Sequence, residues 1–210
     1  MPDRGPGSGP ENVYATAKQG WRARLASVAS GRARARRHAQ LFERTGATRQ
    51  ARILDVGCGR LGLRRHAPEL DITGVDRVPR LDYPGPFVQA DVLAGLPFAD
   101  GEFDLAYCSS VIEHIAPRDR AAFAAELRRV ARGWYVQTPA FSFPIEPHAL
   151  LPFAHWLPRG IRRRYWRLGV AGDWEEIELL RRADMAALFG EPVAERLGPL
   201  TKSWISVRPV

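Results

Sequence analysis

Between residues 51 and 139, short apolar runs alternate with segments of helical period, the grammar of βαβ units wound into a parallel sheet. The runs ARILDVG (51–57), DITGVD (71–76), PFVQAD (86–91), FDLAYCSS (103–110) and GWYVQTP (133–139) predict five strands. Ala122, Ala125, Leu127 and Val130 predict a helix over 118–132 with one apolar face. The next stretch, FSFPIEPHALLPFAHWLP, holds four prolines, each of which would remove a donor from a strand ladder. It therefore predicts a cap over the C-terminal edge of the sheet, an insertion spanning 139–170. A basic helical piece over 159–168 follows, then a helix over 175–189, and the runs PVAERLGPL and SWISVRPV predict an antiparallel hairpin closing the sheet. Upstream, Trp21, Leu25 and Val28 recur at helical spacing, so 13–45 is expected to form one or two basic helices. Residues 1–12, rich in Pro and Gly, are expected to be disordered, leaving 13–210 as a single domain.

Composition adds limits rather than a function. No apolar run approaches the roughly 20 residues that span a bilayer, and the N-terminus has charge where a signal peptide needs an apolar stretch. A cytoplasmic location is the resulting expectation. Cys58 and Cys108 fall in strand or strand-end positions and are expected to be free thiols. The net charge of +8 is unevenly spread: residues 1–50 carry 10 basic and 3 acidic groups, and the other 160 carry 21 and 20. The basicity is thus mostly an appendage. A solvated face is its first reading, and an RNA, anionic lipid or acidic partner its second.

Candidate chemistry begins at ILDVGCGRLGL, a hydrophobic strand running into an acid and a glycine-rich turn. Gly57 and Gly59 allow a tight turn and close approach of a ligand to the backbone. With Gly62 they also match G-x-G-x-x-G, the dinucleotide fingerprint, which alone discriminates poorly. Asp55 separates the two readings. A carboxylate beside the turn repels a pyrophosphate but attracts S-adenosylmethionine, which lacks phosphate and carries an ammonium and a sulfonium. Further acids end successive strands: Asp76, suited to both ribose hydroxyls, and Asp91, suited to the adenine amino group. Arg77, Val92 and Ser109 complete the candidate donor-binding set. A lone strand-end Asp is usually a cap, but three in succession beside a glycine turn favour a cofactor site.

These residues make 53–138 resemble a class I S-adenosylmethionine-dependent methyltransferase of the type 11 group. The family's DxGxGxG turn is carried by Asp55, Gly57 and Gly59, with Leu61 at the third glycine position and Gly62 one residue later. The resemblance implies a doubly wound α/β Rossmann-like sheet of seven strands, order 3-2-1-4-5-7-6 with strand 7 antiparallel, holding the donor at the C-terminal edge of its first half.

Methyl transfer to a hydroxyl needs a base for its proton, whereas a carboxylate or thiolate acceptor needs none. His114, directly after the fourth strand, and His148, within I-E-P-H of the cap, are the candidate bases, with His114 leading. Glu113, His114, Glu146 and His148 together also suggest an oxygen and nitrogen metal site, though Ser110 stands where the E-x-x-E-H motif of some relatives has its first acid. The expected site contains no metal. Phe141, Phe143, Phe153 and Trp156 could wall an apolar acceptor pocket, which favours a small-molecule, lipid-linked or glycan acceptor. Two alternatives remain: an RNA-directed methyltransferase using the basic N-terminal helices, and a non-catalytic donor-binding module. The stretch RGIRRRYWR (159–167) suits a phosphate, a sugar nucleotide or peripheral contact with a membrane surface, or is a solvated helix face.

Overall fold

The computed structural model of the protein describes residues 40–60, 62–171 and 174–210. The expectations for residues 1–12, and for most of the basic helices over 13–45, lie outside these residues. Residues 40–45 are helical, and Leu41 there is fully buried.

All five predicted strands are present: β1 (Ile53–Val56), β2 (Ile72–Asp76), β3 (Phe87–Gln89), β4 (Phe103–Ser109) and β5 (Ala131–Pro139). A short hairpin follows, β6 (Ile145–Glu146) and β7 (Leu151–Pro152), then the C-terminal pair β8 (Val193–Leu197) and β9 (Leu200–Arg208). The main sheet runs β3-β2-β1-β4-β5-β9-β8, parallel through its first five strands and antiparallel where β9 joins β5 and β8 joins β9. Counting only its own strands, the order is 3-2-1-4-5-7-6 with the seventh antiparallel: the fold expected from the resemblance.

Strand alternation sorts side chains onto two faces. Leu54, Val56, Val75, Ala106, Cys108 and Val136 share one core with Phe123, Leu127, Leu180, Met185 and Phe189. Ile53, Ile72, Leu105, Tyr107, Tyr135 and Ile205 share the other with Leu41, Leu63 and Leu70. Both faces must be covered because parallel strands are buried on both sides, which explains their near-continuous apolar sequences. Both cysteines are buried free thiols.

Two helix expectations need correction. The helix before β5, α1 (Arg120–Val130), buries Phe123, Ala124, Leu127 and Val130, whereas Ala122 and Ala125 are exposed. Phe123 decides the rotation, because burying an aromatic ring outweighs burying two methyl groups. Phe123→Ala is expected to cost about 3–5 kcal/mol in a denaturant titration, and Ala125→Ser less than about 0.5 kcal/mol. The helix expected over 175–189 is shortened to α3 (Arg182–Phe189), and α2 (Arg159–Trp166) precedes it. Leu180 instead bridges Ala140 in parallel, the Phe141 amide donating to its carbonyl at 2.9 Å, while the Arg181 amide donates to Asp184 at 2.7 Å and starts the helix. Tertiary pairing here overrides the local preference for a longer helix.

The described residues form two compact units: a sheet unit of 40–143 and 177–210, and a cap unit of 144–171 and 174–176. Within the cap unit, Gly169 packs on Ala149, where a Cβ would stand 2.6 Å from the Ala149 carbonyl, and Trp166 meets Trp174 edge to face at 5.2 Å. No described helix is long and apolar enough to cross a membrane.

Candidate active site

Because β1 and β2 are parallel neighbours, the turn after β1 and the acid ending β2 meet at one edge of the sheet unit. Gly57 and Gly59 have φ of 65° and 58°, values that disfavour residues with a Cβ. At Gly57 an added Cβ would strike Val111 at 2.4 Å, while at Gly59 it would meet nothing within 4 Å. The bend is therefore packed on one side and open beside Gly59, a cradle for a ligand that approaches the backbone. Gly62 (φ 51°) lies so close to Asp55 that a Cβ would stand 2.1 Å from Oδ2. The glycine displaced by one residue is thus a steric requirement of this turn; Leu61 lies outside the described residues.

Asp55 is 2% exposed, and its Oδ2 accepts the Leu63 amide at 2.6 Å. This carboxylate ties the far side of the turn back to β1. Burial, the largest cause, raises its pKa to about 7 despite the Leu63 hydrogen bond, with repulsion from Asp76 contributing. The native state thus keeps a proton that the unfolded chain loses near the ordinary carboxyl value of 3.8. The resulting stabilisation is fully present below that value and lost as pH rises through about 7. Asp55→Asn retains an oxygen acceptor without the charge, so it should flatten this part of the profile. The difference is on the order of 4 kcal/mol between about pH 4 and about pH 8, read from urea midpoints at those two values.

Asp76 ends β2 with both oxygens engaged. Oδ2 accepts the Gly59 amide and the Arg80 guanidinium, each at 3.1 Å, and Oδ1 accepts the Val78 amide at 3.0 Å. It links the glycine turn to the loop after β2. Arg80 is a feature that the sequence reading missed, although its spacing of four from Asp76 was a usable signal. Arg77 is exposed, and its carbonyl accepts from Gln89 at 3.2 Å. Asp91 is exposed and caps the turn 92–94 by accepting the Leu93 amide at 2.9 Å, with Val92 partly buried beside it. At the end of β4, the Ser109 hydroxyl donates to Gln137 Oε1 at 2.7 Å. Gln137 on β5, 1% exposed, was another residue absent from the sequence reading. Successive strand ends therefore present Asp76, Asp91 and Ser109 along the same edge of the sheet unit.

Glu113 is buried and accepts the Thr138 hydroxyl at 2.9 Å, and His114 next to it is partly buried in the turn 112–114 after β4. Glu146 and His148 belong to the cap unit and are joined there. Both are buried, with His148 Nδ1 2.7 Å from Glu146 Oε1 while Glu146 Oε2 accepts the Ala149 amide at 2.6 Å. Burial opposes charge on Glu146, but the hydrogen bonds from His148 and Ala149 hold its pKa below the usual carboxylate value. It is an anion at neutral pH. Phe141 and Phe143 are partly buried in the sheet unit, with the Arg181 guanidinium 4.2 Å from the Phe141 ring centre, whereas Phe153 and Trp156 are half-exposed in the cap unit. The four aromatics are thus divided between the two units.

The donor set fits S-adenosylmethionine on its chemistry. The turn is open beside Gly59, and the carboxylates of Asp55 and Asp76 stand beside it, with Arg80 paired to Asp76. Asp76 and Asp91 would hold the adenosyl portion and the turn the amino-acid portion, and the group when bound supplies an electrophilic methyl on sulfur.

Residues 54–133 match the family profile of a methyltransferase domain of type 11. No curated protein matches. Among solved structures, the chain is similar to the 1,6-didemethyltoxoflavin N1-methyltransferase of Burkholderia thailandensis, bound to 1,6-didemethyltoxoflavin and S-adenosylhomocysteine (18% identity, TM-score 0.54, covering 100% of this chain and 94% of that one). It is also similar to magnesium protoporphyrin IX methyltransferase from Synechocystis with S-adenosylhomocysteine bound (13%, TM-score 0.60, 93% and 91%). A third similar structure is the PH0226 protein of Pyrococcus horikoshii (17%, TM-score 0.57, 92% and 92%). At these identities the likeness speaks for the fold, and the family profile for the domain. With the glycine turn, the strand-end acids and the strand order, they identify residues 54–133 as a methyltransferase domain of type 11 on a class I methyltransferase fold.

Proposed function

We propose that the protein transfers a methyl group to an oxygen of a small-molecule, lipid-linked or glycan acceptor, with a histidine as general base. The observation that carries this reading is the buried Glu146–His148 pair. A carboxylate at Nδ1 favours the tautomer with its proton there, which leaves Nε2 as the nitrogen able to take a proton. In the transfer, the acceptor's hydroxyl proton goes to the ring nitrogen, one C–O bond forms and one C–S bond breaks with its electron pair remaining on sulfur. Alignment of oxygen and methyl about 3 Å apart supplies much of the acceleration. His114 is the second candidate, favoured by its place directly after β4.

The small-molecule class is supported by two of the similar structures, which are named for methylating 1,6-didemethyltoxoflavin and magnesium protoporphyrin IX. The test is incubation of purified protein and labelled donor with pools of metabolites, lipids, glycans and RNA, followed by identification of the labelled atom. Label on an alcohol or phenol oxygen is the expected result. Label on RNA alone, or none with any pool while donor is bound, would displace the proposal.

Asp55 and the donor can be tested without knowing the acceptor. Asp55→Asn should weaken S-adenosylmethionine more than S-adenosylhomocysteine in isothermal titration, because only the former carries a sulfonium for the carboxylate to attract. Equal losses would show that this carboxylate acts only through the turn.

A further inference from the structure

The cap unit exposes a set of large apolar side chains. Ile145, Phe153, Trp156, Ile161 and Leu168 are all between 40% and 72% exposed. Two of them lie on α2 and its C-terminal extension. Ile161 and Leu168 are seven residues apart and so share one stripe of the helix, while Trp166 turns the opposite side into the unit. Arg164 lies beside that stripe and Arg167 directly precedes Leu168, both exposed. Residues 159–168 hold five arginines and no acid, and Arg159 is shared with Glu176 at 2.8 Å.

The same helix packs against the turn 154–156, which carries the other exposed pair. Phe153 and Trp156 stand 5.1 Å apart, and Phe153 is held in the left-handed region at φ 58°. That conformation is unfavourable for a residue with a Cβ, and here it carries a large apolar ring that stays half outside. Guanidinium groups, aliphatic side chains and an aromatic pair therefore lie together on connected elements of one unit.

Nucleic acid would use the arginines and the aromatic rings but offers no apolar phase for Ile161 and Leu168. An anionic bilayer takes all three: lipid phosphates meet the guanidinium groups, aromatic rings sit at headgroup level, and aliphatic side chains enter the acyl boundary. We propose that this face of the cap unit, centred on Ile161, Leu168, Phe153 and Trp156 and rimmed by Arg164 and Arg167, docks the protein on the surface of an anionic lipid bilayer. The proposal stands independently of the acceptor's identity.

The test is co-sedimentation of the full-length protein with vesicles of phosphatidylcholine alone, or of phosphatidylcholine containing about 30% phosphatidylglycerol. Binding is expected to the anionic vesicles only and to weaken as salt rises. Ile161→Asn with Leu168→Asn should lower the partition coefficient at least tenfold, roughly the value of losing one buried aliphatic side chain. Arg164→Glu with Arg167→Glu should do likewise, since each cation near such a surface contributes about fivefold. S-adenosylhomocysteine binding should be retained in both variants, which shows that the sheet unit is intact. No binding at low salt would overturn the proposal. So would binding indifferent to the Ile161 and Leu168 changes, which would place contact on the basic N-terminal segment. An RNA oligonucleotide that binds through Arg164 and Arg167 while vesicles do not would replace the bilayer with nucleic acid. A nitroxide on Leu168→Cys, selective because Cys58 and Cys108 are buried, gives a second readout. Its accessibility to oxygen should rise on anionic vesicles, and an unchanged signal counts against insertion.

Discussion

Replacing Asp76 by alanine is expected to weaken S-adenosylmethionine and S-adenosylhomocysteine by about a hundredfold or more in isothermal titration. A hydrogen bond to a charged group contributes roughly 1.5–3 kcal/mol, and a ribose diol offers two such bonds to this carboxylate. The structure adds an indirect contribution. The same side chain receives the amides of Gly59 and Val78 and the guanidinium of Arg80, so its removal also frees the turn and strands a largely buried cation. Both ligands should suffer equally, because the ribose is common to them. Asp91→Ala removes only a cap on an exposed turn besides the adenine contact proposed for it, and its effect should be smaller. Wild-type affinity in Asp76→Ala would show that the donor is held elsewhere, even with the fold intact.

The second large effect is expected at His148. Once an acceptor is known, His148→Ala should lower kcat by about 10²–10⁴, the usual range for a general base, with donor affinity unchanged. Glu146→Gln should retain part of the activity and move the pH–rate profile, since an amide can hold the ring but does not stabilise an imidazolium. A purely structural role for the pair would instead lower stability and leave the profile of the surviving enzyme in place. If His114→Ala shows the kinetic loss and His148→Ala does not, the base belongs to the turn after β4.

The sheet was readable from local pattern alone. Five short apolar runs separated by helical segments are the pattern of a parallel sheet covered on both sides, and the structure places them so. The donor edge was readable for a related reason: glycines at positive φ and strand-end acids are local features whose spacing survives into three dimensions. The apolar face of α1 was less legible, because alanines fit either side of a helix and only packing of Phe123 shows which one is inside. Residues 175–181 have a helical composition but are drawn into extended structure by Ala140 on another segment.

The sequence by itself determined the strand pattern, the glycine turn and the acids of the donor edge, because short-range sterics and hydrophobic period decide these within a few residues. Tertiary structure decided what those groups do once assembled. It buries Asp55 and raises its pKa, gives Asp76 the amide of Gly59 and the guanidinium of Arg80, and closes Glu146 onto His148. Those outcomes depend on desolvation and on neighbours brought in by the fold, and both vary with the dielectric surroundings that only packing creates.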